Sequence, residues 1–182
     1  MQTKRMHDRM FIFAEKFLSK FFAKAYINFF EKAIIEEFEM VGIKENDKIL
    51  HIGCGPLPNT LISLAKNIKA RYFGIDVDEQ AVNIAKEIVS KYNLDIKIEE
   101  GNALNYPIDG FDVIIVSFGV EPRSQVFERI RRDCKKNARI ICRKQWDFLD
   151  PIFGKKELPN GFKVIGEHKR RDLIKSYLLK KL

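Results

Sequence analysis

The chain is predicted to fold as an α/β three-layer sandwich. It has a seven-stranded, mostly parallel sheet whose last strand is antiparallel, plus an N-terminal helical cap. Three observations predict this. From residue 48 onward, short apolar runs alternate with helix-length segments, the pattern that parallel strands joined by right-handed crossovers require. Several runs are apolar throughout, as in Val113-Ile114-Ile115-Val116, which suits strands covered on both faces. The tail carries two further strand-like runs around a short basic turn, the pattern of an antiparallel hairpin.

Residues 1–42 form the expected cap, one or two amphipathic helices. Leu18, Phe21, Phe22, Ala25, Phe29 and Ala33 recur at helical spacing, while Lys16, Lys20 and Lys24 share another face. Gly42 is the expected terminator. Residues 43–182 form the sheet domain. Strands are expected over Lys48–Ile52, Tyr72–Ile75, Ile96–Glu99, Val113–Ser117 and Arg139–Cys142, and helices over Asn59–Ile68, Glu79–Tyr92 and Arg123–Lys135. The hairpin pairs Gly161–Gly166 with Leu173–Leu179 across His168-Lys169-Arg170-Arg171, at the sheet edge.

At 182 residues the chain fits one domain with a sizeable core. Its formal net charge of +8 favours a polyanionic partner, either RNA or an anionic membrane surface. The basic residues Lys169, Arg170, Arg171, Lys175, Lys180 and Lys181 read either as a solvated face or as phosphate contacts. No RNP-like aromatic motif accompanies them. The three cysteines, Cys54, Cys134 and Cys142, match no disulfide framework and no secretory segment precedes them, so a cytoplasmic location is expected. Lysines and glutamates interrupt Phe11 to Val41, so no bilayer-spanning helix is expected there.

The densest signal is Ile49-Leu-His-Ile-Gly-Cys-Gly-Pro-Leu-Pro-Asn-Thr60, a strand running into a glycine-rich turn before a helix. Glycine tolerates positive φ and lets backbone approach a ligand, so Gly53 and Gly55 mark a tight bend under a bound molecule. Asp76 ends the next strand about 20 residues on, where a βαβ unit places a carboxylate against ribose hydroxyls. Asp78 is the alternative. Strand three runs into Glu99-Glu100-Gly101-Asn102-Ala103 and strand four into Ser117-Phe118-Gly119, so four loops converge on one cleft.

The order of these pieces resembles the class I S-adenosylmethionine-dependent methyltransferase fold: the Gly-x-Gly turn, Gly74-Ile-Asp-Val-Asp-Glu-Gln-Ala-Val-Asn-Ile-Ala-Lys86, Glu100-Gly-Asn-Ala103 and Phe111-Asp-Val-Ile-Ile-Val116. The resemblance covers residues 48–182 and implies S-adenosylmethionine as cofactor. It sets Gly53, Cys54, Gly55, Pro56 and Thr60 at the methionine end and Asp76 at the ribose, with Val77 beside it. Gly101, Asn102 and Ala103 would lie at the adenine, and Ser117 and Phe118 would line the sulfonium. It implies methyl transfer to a small-molecule or macromolecular acceptor, with Glu121 and Glu100 as candidate bases.

A narrower likeness is carried by Gly53-Cys-Gly-Pro-Leu-Pro-Asn-Thr60 and by the tail Gly161-Phe-Lys-Val-Ile-Gly-Glu-His168. Both are similar to the nicotianamine synthase branch, which moves the aminocarboxypropyl group instead. That branch has a large helical N-terminal domain, for which residues 1–42 are too few. Two departures stand out. Leu57, between Pro56 and Pro58, replaces the usual third glycine. His51 replaces an acidic residue on strand one and could face either the cofactor's ammonium or its carboxylate.

His51 and Cys54 lie three residues apart, yet no Cys/His cluster supplies further ligands, so no metal is expected. The phenylalanine-rich N-terminus suits packing over the sheet, an interfacial helix on an anionic membrane, or a homodimer contact.

Overall fold

The computed structural model describes residues 24–149, 151, 154, 157–170 and 173–182. Leu18, Phe21, Phe22, Lys16 and Lys20 of the expected cap lie outside them, as does Arg171.

The first described helix, α1, covers residues 24–39. Its buried face is Ile27, Ile34, Glu37 and Phe38, with Phe30 and Ile35 packed partly against the same core. Ala25 and Phe29 stand apart from this face; Phe29 is 78% exposed. Two apolar stripes overlap on this helix, and the sheet takes Ile27, Phe30, Ile34 and Phe38, which follow the i, i+3, i+7, i+11 series of a single helical face. Gly42 adopts φ 60° just after the helix, and Arg139 donates to the carbonyls of Val41 and Gly42 in the turn that follows.

Seven strands follow: β1 (Lys48–Ile52), β2 (Arg71–Asp76), β3 (Ile96–Glu100), β4 (Val113–Val116), β5 (Arg139–Gln145), β6 (Phe162–Lys169) and β7 (Ile174–Lys181). The helices between them are α2 (Asn59–Asn67), α3 (Glu79–Ser90) and α4 (Arg123–Asp133). The sheet order is β3-β2-β1-β4-β5-β7-β6, and β7 alone runs against the others. The expected fold class is therefore present, with β7 inserted between β5 and the edge strand β6. His168 and Lys169, expected in the turn, belong to β6.

Strand residues alternate between two cores. Ile49, Val113, Ile115 and Ile141 join α1, α2 and α3, while Leu50, Ile52, Ile114, Ile140 and Cys142 join α4 and the β3–β4 connection. The strand order reverses between β1 and β4, and at such a switch point the carboxyl ends of the strands leave a crevice. Among the described residues no helix is long and apolar enough to cross a membrane.

One expectation is corrected. Arg170, read as part of an exposed basic tail, is 3% exposed and donates to Glu37. Only a carboxylate brought from a distant helix makes that burial affordable.

Phe38 anchors α1 and is 2% exposed. Phe38→Ala is expected to cost about 3–5 kcal/mol of stability through lost burial and a residual cavity, measurable by urea unfolding.

Candidate functional site

The turn after β1 is built by local backbone demands. Gly53 and Gly55 adopt φ 71° and 67°, a region costly for any side chain. The Gly53 and Cys54 N–H groups both donate to the Ile75 carbonyl, at 2.8 and 3.1 Å, which pins the turn to the end of β2. A Cβ on Gly53 would meet Val120 Cγ2 at 2.7 Å, so this glycine also lets the β4 loop close in. A Cβ on Gly55 would meet nothing within 4 Å, leaving open space over the bend.

Asp76 sits at the junction. Its Oδ2 accepts the Gly55 N–H at 2.9 Å and its Oδ1 accepts the Asp78 N–H at 3.1 Å. Each carboxylate oxygen has a second lone pair, so the half-exposed group can still receive ligand hydroxyls. Asp78 is committed elsewhere: it caps α3 by accepting from Gln80 and Ala81. Val77 stands 68% exposed at the lip.

The other candidates divide. Asn102 is exposed, and its Oδ1 accepts the Leu104 N–H at 2.9 Å, which closes a turn and leaves the amide NH2 for a ligand. Gly101 lies against Tyr106 and Ile75, where a side chain would crowd. Ala103 turns into the core beneath α4. Ser117 and Phe118 are half-buried at the end of β4. Of the candidate bases, Glu121 accepts the Arg123 N–H at the start of α4, and Glu100 is exposed at the end of β3. Pro56 and Cys54 are buried, and burial, then the Asp76 charge, pushes the Cys54 thiol far up, so it carries no thiolate. Among the described residues no group of three or more His, Cys, Asp or Glu could hold a metal.

His51 lies below the cleft floor, 3% exposed, with Nε2 2.8 Å from Ser117 Oγ and Nδ1 unpartnered. It therefore meets the cleft through the Ser117 hydroxyl. Burial, then the positive charges of Arg143 and Arg170 against the opposing pull of Glu37, brings its pKa down to about 3.

A cluster of charged and polar side chains lies beside it, assembled from residues far apart in the sequence. Glu37 of α1 accepts from Arg143 Nε at 2.8 Å and Nη2 at 2.7 Å, from Arg170 Nη1 at 2.9 Å and from Ser176 Oγ at 2.6 Å. Arg143 Nη1 donates to Thr60 Oγ1 at 2.9 Å. All five side chains are buried. Burial alone would raise the Glu37 carboxyl; the Arg143 charge and bonds, then Arg170 and Ser176, hold it at about 2. In the sequence Arg143 directly follows the apolar run Ile140-Ile-Cys142 and precedes Lys144 and Gln145, so it reads as the polar end of the strand.

Residues 49–137 match the family model described as Methyltransferase domain. The ribosomal protein L11 methyltransferase of Thermotoga neapolitana is 26% identical over 133 residues, spanning 72% of this chain and 50% of that protein. An L-histidine 2-aminobutanoyltransferase of Pseudomonas aeruginosa is 25% identical over 147 residues, spanning 77% and 55%. The chain thus spans about half the length of these curated relatives. A solved mutant of MtNAS in complex with S-adenosylmethionine superposes with TM-score 0.71 at 22% identity, over 84% of this chain and 63% of that one, a likeness of fold.

Unfolded histidine titrates near 6.5 and His51 in the fold near 3, so between those values the unfolded chain holds one more proton and stability falls as pH drops. The expected slope from this residue is about 1.4 kcal/mol per pH unit below pH 6.5. Urea midpoints at pH 7 and pH 5 should show His51→Gln losing less stability on acidification than the wild type. Glu37 contributes only lower down, where stability is lost as pH falls from about 4.5 toward 2.

Proposed function

We propose that this chain, which belongs to the class I S-adenosylmethionine-dependent methyltransferase superfamily, transfers the methyl group of S-adenosylmethionine to an acceptor. The observation that carries the reading is the Asp76–Gly55 junction. A carboxylate at the end of β2 is held by the N–H of a positive-φ glycine, at the switch point of the sheet, with open space above.

The sulfonium brings its own activation, so the protein's task is to hold two reactants in line and keep water out. Asp76 would receive the ribose hydroxyls. Val77 offers an apolar edge to the adenine, and the Asn102 amide stands beside it. Ser117, held by a neutral His51, would face the reacting end. An acceptor would enter between the loops after β4 and β5, where Trp146 and Phe148 pack edge to face with centroids 6.0 Å apart. That wall favours an apolar or aromatic acceptor. Phe153, in the same loop, lies outside the described residues.

A second reading, aminocarboxypropyl transfer, draws support from the Pro56-Leu57-Pro58 turn, whose proline rings are buried, and from the likeness to the Pseudomonas aminobutanoyltransferase. The released nucleoside separates the two. Incubation with cofactor and an extract of candidate acceptors should yield S-adenosylhomocysteine; methylthioadenosine carrying the methyl label would sink methyl transfer.

Asp76→Ala should weaken S-adenosylhomocysteine binding by about 1.5–3 kcal/mol, the range for hydrogen bonds to a charged group, as read by calorimetry. An unchanged affinity would remove Asp76 from the site.

A further inference from the structure

We propose that Thr60, Arg143 and Glu37 form a positioning relay that sets the cofactor turn by the docking of α1. The inference rests on the S-adenosylmethionine reading, and it concerns how the turn is held, not what it touches.

The first half of the turn is tied to β2 through Gly53, Cys54 and Gly55. The second half lacks comparable ties. Pro56 and Pro58 have no N–H to donate, and Pro58 sits at the N-cap of α2, where no side chain caps the helix and no acidic residue occupies the first turn. Apart from the local Asn59 N–H to Leu57 carbonyl bond and apolar packing of Leu57 and Leu61, what ties this end to a neighbouring strand is the side chain of Thr60. Thr60 is 1% exposed, and its hydroxyl meets Arg143 at the strand below the turn. Thr60 thus acts on the cofactor through the turn.

Arg143 can serve as that anchor only because it is itself oriented. Its Nε and Nη2 fork onto both oxygens of Glu37, which fixes the guanidinium plane. The fork also answers an electrostatic problem, since a cation beside the first turn of a helix lies at the unfavourable end of its dipole. Glu37 places a carboxylate against that charge, and Ser176 holds the carboxylate in turn. Three elements distant in sequence, α1, β5 and α2, therefore share one hydrogen-bonded line that ends at the cofactor turn.

The test compares Thr60→Val, which keeps the shape and removes the hydroxyl, with Thr60→Ser, which keeps the hydroxyl. Binding of S-adenosylhomocysteine is measured by calorimetry and stability by thermal unfolding. Ile130→Val, a core change under α4 on the other face, supplies a destabilised control. Thr60→Val and Glu37→Gln are expected to raise Kd about tenfold, as loss of one charge-assisted hydrogen bond implies, with Thr60→Ser within about twofold of wild type. The relay is overturned if Thr60→Val binds as tightly as wild type, or if Ile130→Val at matched stability loses as much affinity. Amide hydrogen exchange over residues 53–61 of the ligand-free protein gives a second readout. Faster exchange in Thr60→Val but not Thr60→Ser supports the relay even should the wild type fail to bind the nucleoside, a failure that would count against the cofactor reading alone. Equal exchange in all three overturns it.

Discussion

Glu37 and Arg143 meet under the sheet's carboxyl edge with almost no exposure to water, and the arrangement above them depends on that pair. Taking two charges out of water costs several kcal/mol per ion, and their attraction only roughly repays it. The pair is therefore poor evidence of stability. What it imposes is a register: if α1 slid by one turn, a carboxylate and two guanidinium groups would be buried without the opposite charges they now meet, at a cost of about 3–5 kcal/mol. Apolar contacts from Ile27, Ile34 and Phe38 bring α1 to the sheet, and the ions decide where along it the helix stops.

The strand register extends this line across the sheet. Ile52 pairs with Val116 and Val116 with Cys142, so the next positions, Gly53, Ser117 and Arg143, stand side by side; Arg143 then pairs with Ser176. On the α1 face this makes a polar row just past the last apolar layer. His51 lies one layer lower, and its Nε2 reaches up to that row, to the Ser117 hydroxyl. Apolar residues below supply the adhesion and polar ones at the rim supply the geometry.

Most of the architecture was legible because it rests on local or periodic signals. Continuous apolar runs announced the strands, and Gly53 and Gly55 announced the bend, since positive φ is a requirement of one residue at a time. The place of Asp76 at the end of β2 was legible by its spacing. Phe29 misled because Phe29 and Phe30 belong to neighbouring stripes of one helix, and only the sheet chooses between them. Glu37, Arg143 and Arg170 were illegible for a different reason. A charged residue looks like a surface residue until a partner over a hundred positions away is brought to it. Thr60 stood in the expected turn, but the direction of its hydroxyl was set by that same distant partner.

The insertion of β7 between β5 and β6 bears on how the chain survives its own folding. Until β7 arrives, β5 is an open edge whose centre, Ile140-Ile141-Cys142, is fully buried in the finished sheet. An apolar edge of this kind is a template for pairing with another chain. Here it is bracketed by Arg139 on one side and by Arg143 and Lys144 on the other, charges that oppose stacking against a like copy. The arginine that forks onto Glu37 in the folded protein would stand, before β7 arrives, as a charge at the end of that open edge.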